Sequence, residues 1–123
     1  MKSDFFDREL RIDEHVITFE QRIVKTIELD GTVIVLLNSD DFASGDELVG
    51  QNIVAYDANG KFVWRIERHG FKVPNRDGVE IPQAYFGLWI GEDGKTLHAG
   101  IPVAEFEVDP ATGMLQKVEL NRW

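Results

Sequence analysis

The stretch NIVAYDANGKFVWRIE, Asn52 to Glu67, decides the fold. Apolar residues alternate on both sides of Asn59-Gly60, the pattern of two strands joined by a tight turn whose glycine accepts a positive φ. In KFVWRIER the alternation predicts Phe62, Trp64 and Ile66 on one face and Val63, Arg65 and Glu67 on the other. The same grammar continues outward. QRIVKTIEL meets TVIVLLN across Asp30-Gly31, Asp93-Gly94 marks a third turn, and Pro110 to Gly113 a fourth. TVIVLLN and AYFGLWIG are apolar on both faces, which predicts central strands covered on each side, or strands contributing to an interface. Residues 39–50 and 68–83 read as loops from their Gly, Pro and Asp content. Residues 4–12 are open between a short helix capped by Ser3 and a strand through LRID.

The outline occurs twice. Residues 22–67 and 84–120 both run strand, Asp-Gly turn, strand, connection, strand ending in Asp, Gly-closed turn, strand. The first half spends more residues between its two turns, and the acidic loop 39–50 accounts for the excess. Repetition of this kind signals a duplicated supersecondary unit that cannot bury its apolar face alone. The expected fold is all-β: two antiparallel four-stranded units, half-propeller-like or a sandwich, closed into a single domain.

NIVAYDANGKFVWRIE and EFEVDPATGMLQK resemble blades of quinoprotein-type β-propellers, which run apolar strand, Asp, Gly-closed turn, then a strand often bearing Trp. The resemblance implies a two-blade arrangement. A closed ring needs ~4–8 blades, more than one copy of this chain supplies, and the family's quinone chemistry is implied at no residue. Small bacterial β-proteins of this style also resemble the immunity proteins that neutralise toxins delivered between competing bacteria.

Composition narrows the chemistry. With 123 residues, 43% hydrophobic, the chain supports one domain with a core. The absence of cysteine excludes disulfides, thiolate metal sites and a cysteine nucleophile. Neither a signal peptide nor a membrane-spanning run is recognisable, so a cytoplasmic location without membrane contact is expected. The net charge is −9. Residues 1–50 carry 12 acidic and 5 basic side chains, whereas residues 51–82 carry 4 and 5. Such a balance argues against nucleic acid and favours a basic protein partner.

Catalytic constellations are sparse. His15, His69 and His98 have no ligand spacing. Ser3, Ser39 and Ser44 lie outside any nucleophile motif. His69, near Arg68, Lys72 and Arg76, sits in the one locally basic loop, which suggests an anion site or a solvated loop. Asp57 and Asp109 occupy equivalent positions before Gly-closed turns, where their carboxylates are expected to accept backbone N–H groups.

The distinctive segment is SDDFASGDELVG, which gathers Asp40, Asp41, Asp46 and Glu47 around Phe42. It reads as a solvated loop, a calcium loop lacking EF-hand spacing, or a recognition surface in which carboxylates steer a cationic partner and Phe42 anchors it. The expected function is non-enzymatic, without cofactor or metal. The protein would bind a basic toxin domain as an immunity protein through Asp40, Asp41, Phe42, Asp46 and Glu47, with Glu92 and Asp93 as a second patch. The alternative is a structural or ligand-binding β module that assembles by strand-edge pairing.

Overall fold

A computed structural model describes residues 1–121. Their alternating sequence forms thirteen strands: β1 (Ser3–Phe6), β2 (Glu9–Ile12), β3 (His15–Thr18), β4 (Ile23–Leu29), β5 (Thr32–Leu37), β6 (Ile53–Asp57), β7 (Phe62–Arg65), β8 (Lys72–Pro74), β9 (Glu80–Pro82), β10 (Gly87–Ile90), β11 (Leu97–Ile101), β12 (Ala104–Val108) and β13 (Leu115–Leu120). All pairings are antiparallel between consecutive strands, in sheets β1–β3, β4–β7, β8–β9 and β10–β13. The two four-stranded units anticipated from the repeat are β4–β7 and β10–β13. No helix among the described residues is long and apolar enough to cross a membrane.

Residues 4–12 form strands, not a helix. Asp7 and Asp13 take positive φ (57° and 51°) in the two turns of the N-terminal meander. Alternation then aims Leu10 and Ile12, both fully buried, at the neighbouring sheet. Residues 68–83 are not a bare loop either. They hold the β8–β9 hairpin, whose turn is organised by the Asn75 side-chain oxygen accepting N–H bonds from Asp77 and Val79. Asp57 and Asp109 do the same in their turns, accepting from Asn59 and Lys61, and from Ala111. The segment 39–50 contains two short 3-10 helices, Ser39–Asp41 and Glu47–Gln51.

The sheets stack in three layers. Val33, Val35, Leu37, Val54 and Ile23 pack against Leu10 and Ile12 of the N-terminal meander. From the opposite face of the same sheet, Ile34, Leu36, Ile53, Ala55, Trp64 and Ile66 join Leu88, Leu97, Ala99, Ile101, Phe106 and Val108 of the second sheet in one core. Strand β5 is thus the doubly covered central strand its sequence predicts. Strand β10, the core of AYFGLWIG, is instead an edge, with Leu88 inward and Trp89 outward.

Phe62 departs from the expected face. A β-bulge places Phe62 opposite Tyr56 but Trp64 opposite Ala55, so the two aromatic side chains leave β7 on opposite sides. A second bulge occupies the equivalent place in the other unit, where Leu115 pairs Val108 and Lys117 pairs Glu107. The matching registers align the repeats residue by residue: Ile34 with His98, Leu36 with Gly100, Ile53 with Glu105, Ala55 with Glu107 and Trp64 with Lys117. The first sheet turns this face toward the second, and the second turns its own copy of this face outward. The units therefore stack head to tail, like successive layers of one repeating array.

Three contacts fix the junction. Asn52, the one fully buried polar side chain among the described residues, donates to the carbonyls of Leu37 (2.9 Å) and Tyr85 (2.8 Å) and accepts from the Tyr85 N–H (2.9 Å). The Trp64 indole N–H donates to the Pro110 carbonyl at 2.9 Å. Gly113 lies against the same indole so closely that a Cβ there would sit 2.5 Å from Trp64 Cε3. Asn52→Ala should lower unfolding free energy by ~3 kcal/mol in a urea titration, because the Tyr85 amide and two carbonyls lose their partner in a dry site. A loss below ~0.5 kcal/mol would show that the amide does not hold the junction.

Candidate functional site

The acidic loop is largely committed to its own chain. Asp41 makes a two-pronged ion pair with Arg22, Nε to Oδ2 at 2.8 Å and Nη2 to Oδ1 at 3.0 Å, and also accepts the Arg22 backbone N–H at 2.9 Å. These contacts hold its carboxyl down to about 2. Asp46 caps the second 3-10 helix by accepting the Leu48 N–H at 3.0 Å. Phe42 is half-buried against the N-terminal core, so it anchors the loop inward. Glu47 lies 3.7 Å from Arg68, and a Cβ on Gly50 would lie 2.3 Å from Pro82 Cβ. The acidic segment thus rests on the basic one, residues 68–83, and the two partly neutralise each other. Within the loop, Asp40 and Glu47 remain exposed.

His69 is also engaged. Nε2 donates to the Gln83 carbonyl at 2.7 Å, and Nδ1 accepts the Phe71 N–H at 2.9 Å. Burial pushes its pKa down, against the opposing effect of the Gln83 hydrogen bond. With both nitrogens in use, the ring stacks on Phe106 (5.8 Å, 22°) and meets Tyr85 edge-on (5.2 Å) as a neutral aromatic packing unit. Among the described residues, no three His, Asp or Glu side chains are gathered to hold a metal ion.

Among the described residues, the outer face of the second sheet joins neither core. Its positions correspond to core positions of the first sheet, yet where that sheet has Ile34, Leu36, Ile53 and Ala55, this one has His98, Gly100, Glu105 and Glu107. A polar terminal face is what the last layer of a stack needs in water. Its aromatic content exceeds that need. The Trp89 ring stacks on His98 at 5.5 Å and 6°. Gly87 and Gly100 make room for the edge of the indole, since added Cβ atoms would sit 3.0 and 3.2 Å from its Cζ3. Phe86, 65% exposed, stands beside them. In the cross-strand row, Trp89, His98, Glu107 and Lys117 are successive neighbours.

The second predicted patch adjoins this platform. Gly91, at the start of the β10–β11 turn, is close to both His98 and Asp93. Asp93 organises the turn: it accepts N–H bonds from Lys95 (3.0 Å) and Thr96 (2.8 Å) and a hydroxyl bond from Thr96, which together hold its carboxyl down to about 2. Glu92 is exposed on the same turn. The structure therefore brings Glu92 and Asp93 to the end of the Trp89–His98 platform and leaves the loop 39–50 elsewhere.

The chain belongs to the family described as a domain of unknown function, DUF7957, whose model matches residues 1–120. No curated protein and no solved structure matches it.

The Arg22–Asp41 pair sets a pH test. Because the folded-state pKa of Asp41 lies below the ordinary 3.8, its contribution to stability is present above that value and is lost as pH falls toward about 2. Arg22→Ala should return the Asp41 carboxyl to the ordinary range in an NMR titration. The stability gap between variant and parent should close over the same interval. A gap that persists unchanged at pH 2 would contradict the assignment.

Proposed function

We propose that this protein acts by contact, binding a basic protein partner through the open face of its second sheet. The concrete form is an immunity protein that occludes the active cleft of a nuclease-like toxin. The observation that carries the reading is the replacement, at positions equivalent to the first sheet's core, of aliphatic residues by His98, Gly100, Glu105 and Glu107 around Trp89. A cationic side chain laid over an indole gains cation–π attraction, and flanking carboxylates add charge-assisted hydrogen bonds. Carboxylates of this kind also steer a basic partner toward the face before contact. A phosphate-binding cleft rich in Arg and Lys is complementary to that arrangement. Asp40 and Glu47, exposed in the loop 39–50, add to long-range attraction without forming the contact.

An octa-arginine peptide serves as the probe, titrated calorimetrically at low salt. Glu105→Lys with Glu107→Lys should weaken binding about tenfold, and Trp89→Ala about threefold. The same charge change placed at Asp40 and Glu47 should cost less than either. If the loop variant loses as much as the face variant, net charge alone accounts for binding and the proposed face is wrong. In the immunity form, co-expression protects cells from the cognate toxin domain, and the face variant loses that protection.

A further inference from the structure

We infer that β13 is a self-pairing edge, through which two copies of this chain join their second sheets into one continuous eight-stranded sheet. Strand β13 pairs β12 on one side; on its other side the Leu115 N–H is held by the Glu67 carboxylate, and beyond Leu115 no strand among the described residues pairs it. The Asn121 N–H bonds the Val103 carbonyl across the ladder at 2.9 Å. By antiparallel alternation, Glu119 and Lys117 direct their backbone groups toward β12, and Val118 and Leu120 direct theirs outward. Those two residues are also 54% and 63% exposed, although their alternation places them on the core side of the sheet. A free ladder edge carrying exposed apolar side chains is a template for strand addition.

The sequence of this edge selects its occupant. In an antiparallel pairing of two copies centred on Val118, Val118 faces Val118 of the other copy and Lys117 faces the other copy's Glu119. Both ion pairs form, and the central residue is one whose N–H and C=O point outward, as a hydrogen-bonded pair requires. The neighbouring registers that keep each face matched set Lys117 against Lys117, or Glu119 against Glu119, and are disfavoured. The pairing also answers a conflict within one chain. Glu105 and Glu119 stand directly opposite each other on the outer face, where like charges repel. In the paired form Lys117 of the second copy becomes the counter-ion on the free side of Glu119.

This inference does not depend on the basic-partner reading, and its test needs no partner. It adds one consequence: the two Trp89–His98 platforms would lie on the same side of the joined sheet, their centres about six strand spacings or roughly 30 Å apart. A partner presenting two basic patches would then be held bivalently.

The experiment is sedimentation velocity on the full chain at low salt, from micromolar to near-millimolar concentration. A reversible monomer–dimer equilibrium is expected. Lys117→Glu and Glu119→Lys should each weaken it about tenfold, and the double exchange, which restores opposite charges across the axis, should return it to within about threefold of the parent. Glu119→Lys should at the same time raise the monomer's melting temperature, because it removes the repulsion with Glu105, so weaker association cannot be ascribed to misfolding. Val118→Pro, which deletes an outward N–H, should abolish dimers while leaving the far-ultraviolet circular dichroism unchanged. A chain that stays monomeric throughout, or a dimer indifferent to both charge reversals, overturns the inference.

Discussion

The side chain of Asn52 is the constraint on which the arrangement depends. It enters a dry junction between the two units and joins Leu37, at the end of the first unit's central strand, to Tyr85, at the entrance of the second. An amide is suited to that place because it matches one buried N–H and two carbonyls that hydrophobic neighbours cannot satisfy. Trp64 reinforces the same boundary from the other edge, with its indole held between the Pro110 carbonyl and Gly113. Glu67 completes it, its backbone N–H bonding the Gly113 carbonyl and its carboxylate accepting the Leu115 N–H. Polar contacts with defined directions, added to the apolar core between the sheets, fix how one unit sits on the next.

Head-to-tail stacking has a consequence that face-to-face pairing of identical faces would not. Each layer covers one face of its neighbour and leaves its own equivalent face for the next. The N-terminal meander covers the first sheet on one side and the second sheet covers it on the other, and among the described residues no further layer packs on the second sheet. At that last face the chain keeps the backbone of the repeat and changes the side chains, so Ile53 and Ala55 give way to Glu105 and Glu107. The scaffold is thereby spent on holding one acidic, aromatic face open to solvent. The neighbouring β13 edge is open for a related reason, since no further strand follows it within the described residues.

Much of the fold is legible in the sequence alone. Asp-Gly and Asn-Gly turns between alternating runs located the strands of both units, and the carboxylates of Asp57 and Asp109 do what such positions imply. What escaped was non-local or a matter of one residue. The turns at Asp7 and Asp13 lack a following glycine, so the N-terminal strands gave only a weak signal. A single bulged residue reversed Phe62, because period-two reading carries no warning of a bulge. The partners of the acidic loop were hidden by distance: Arg22 is far from Asp41 in sequence, and nothing in SDDFASGDELVG marks one carboxylate as ion-paired and another as a cap. The open face was hidden for the opposite reason. His98, Glu105 and Glu107 look like an ordinary solvated side of a sheet until the two units are aligned by their bulges. The alignment then reveals that the same positions are core in the first unit. That signal was in the repeat itself, one register step beyond the turns that revealed it.

The central claim is that contact occurs at the last face of the stack and not at the acidic loop. Amide, indole and imidazole chemical shifts of the isotopically labelled chain, followed during addition of a short arginine-rich peptide, test it most directly. The account predicts that the Trp89 indole, the His98 ring and the amides of β10 to β12 move together and saturate, while those of residues 39–50 stay within the background. Saturating shifts confined to residues 39–50, with Trp89 and His98 unmoved, would contradict it.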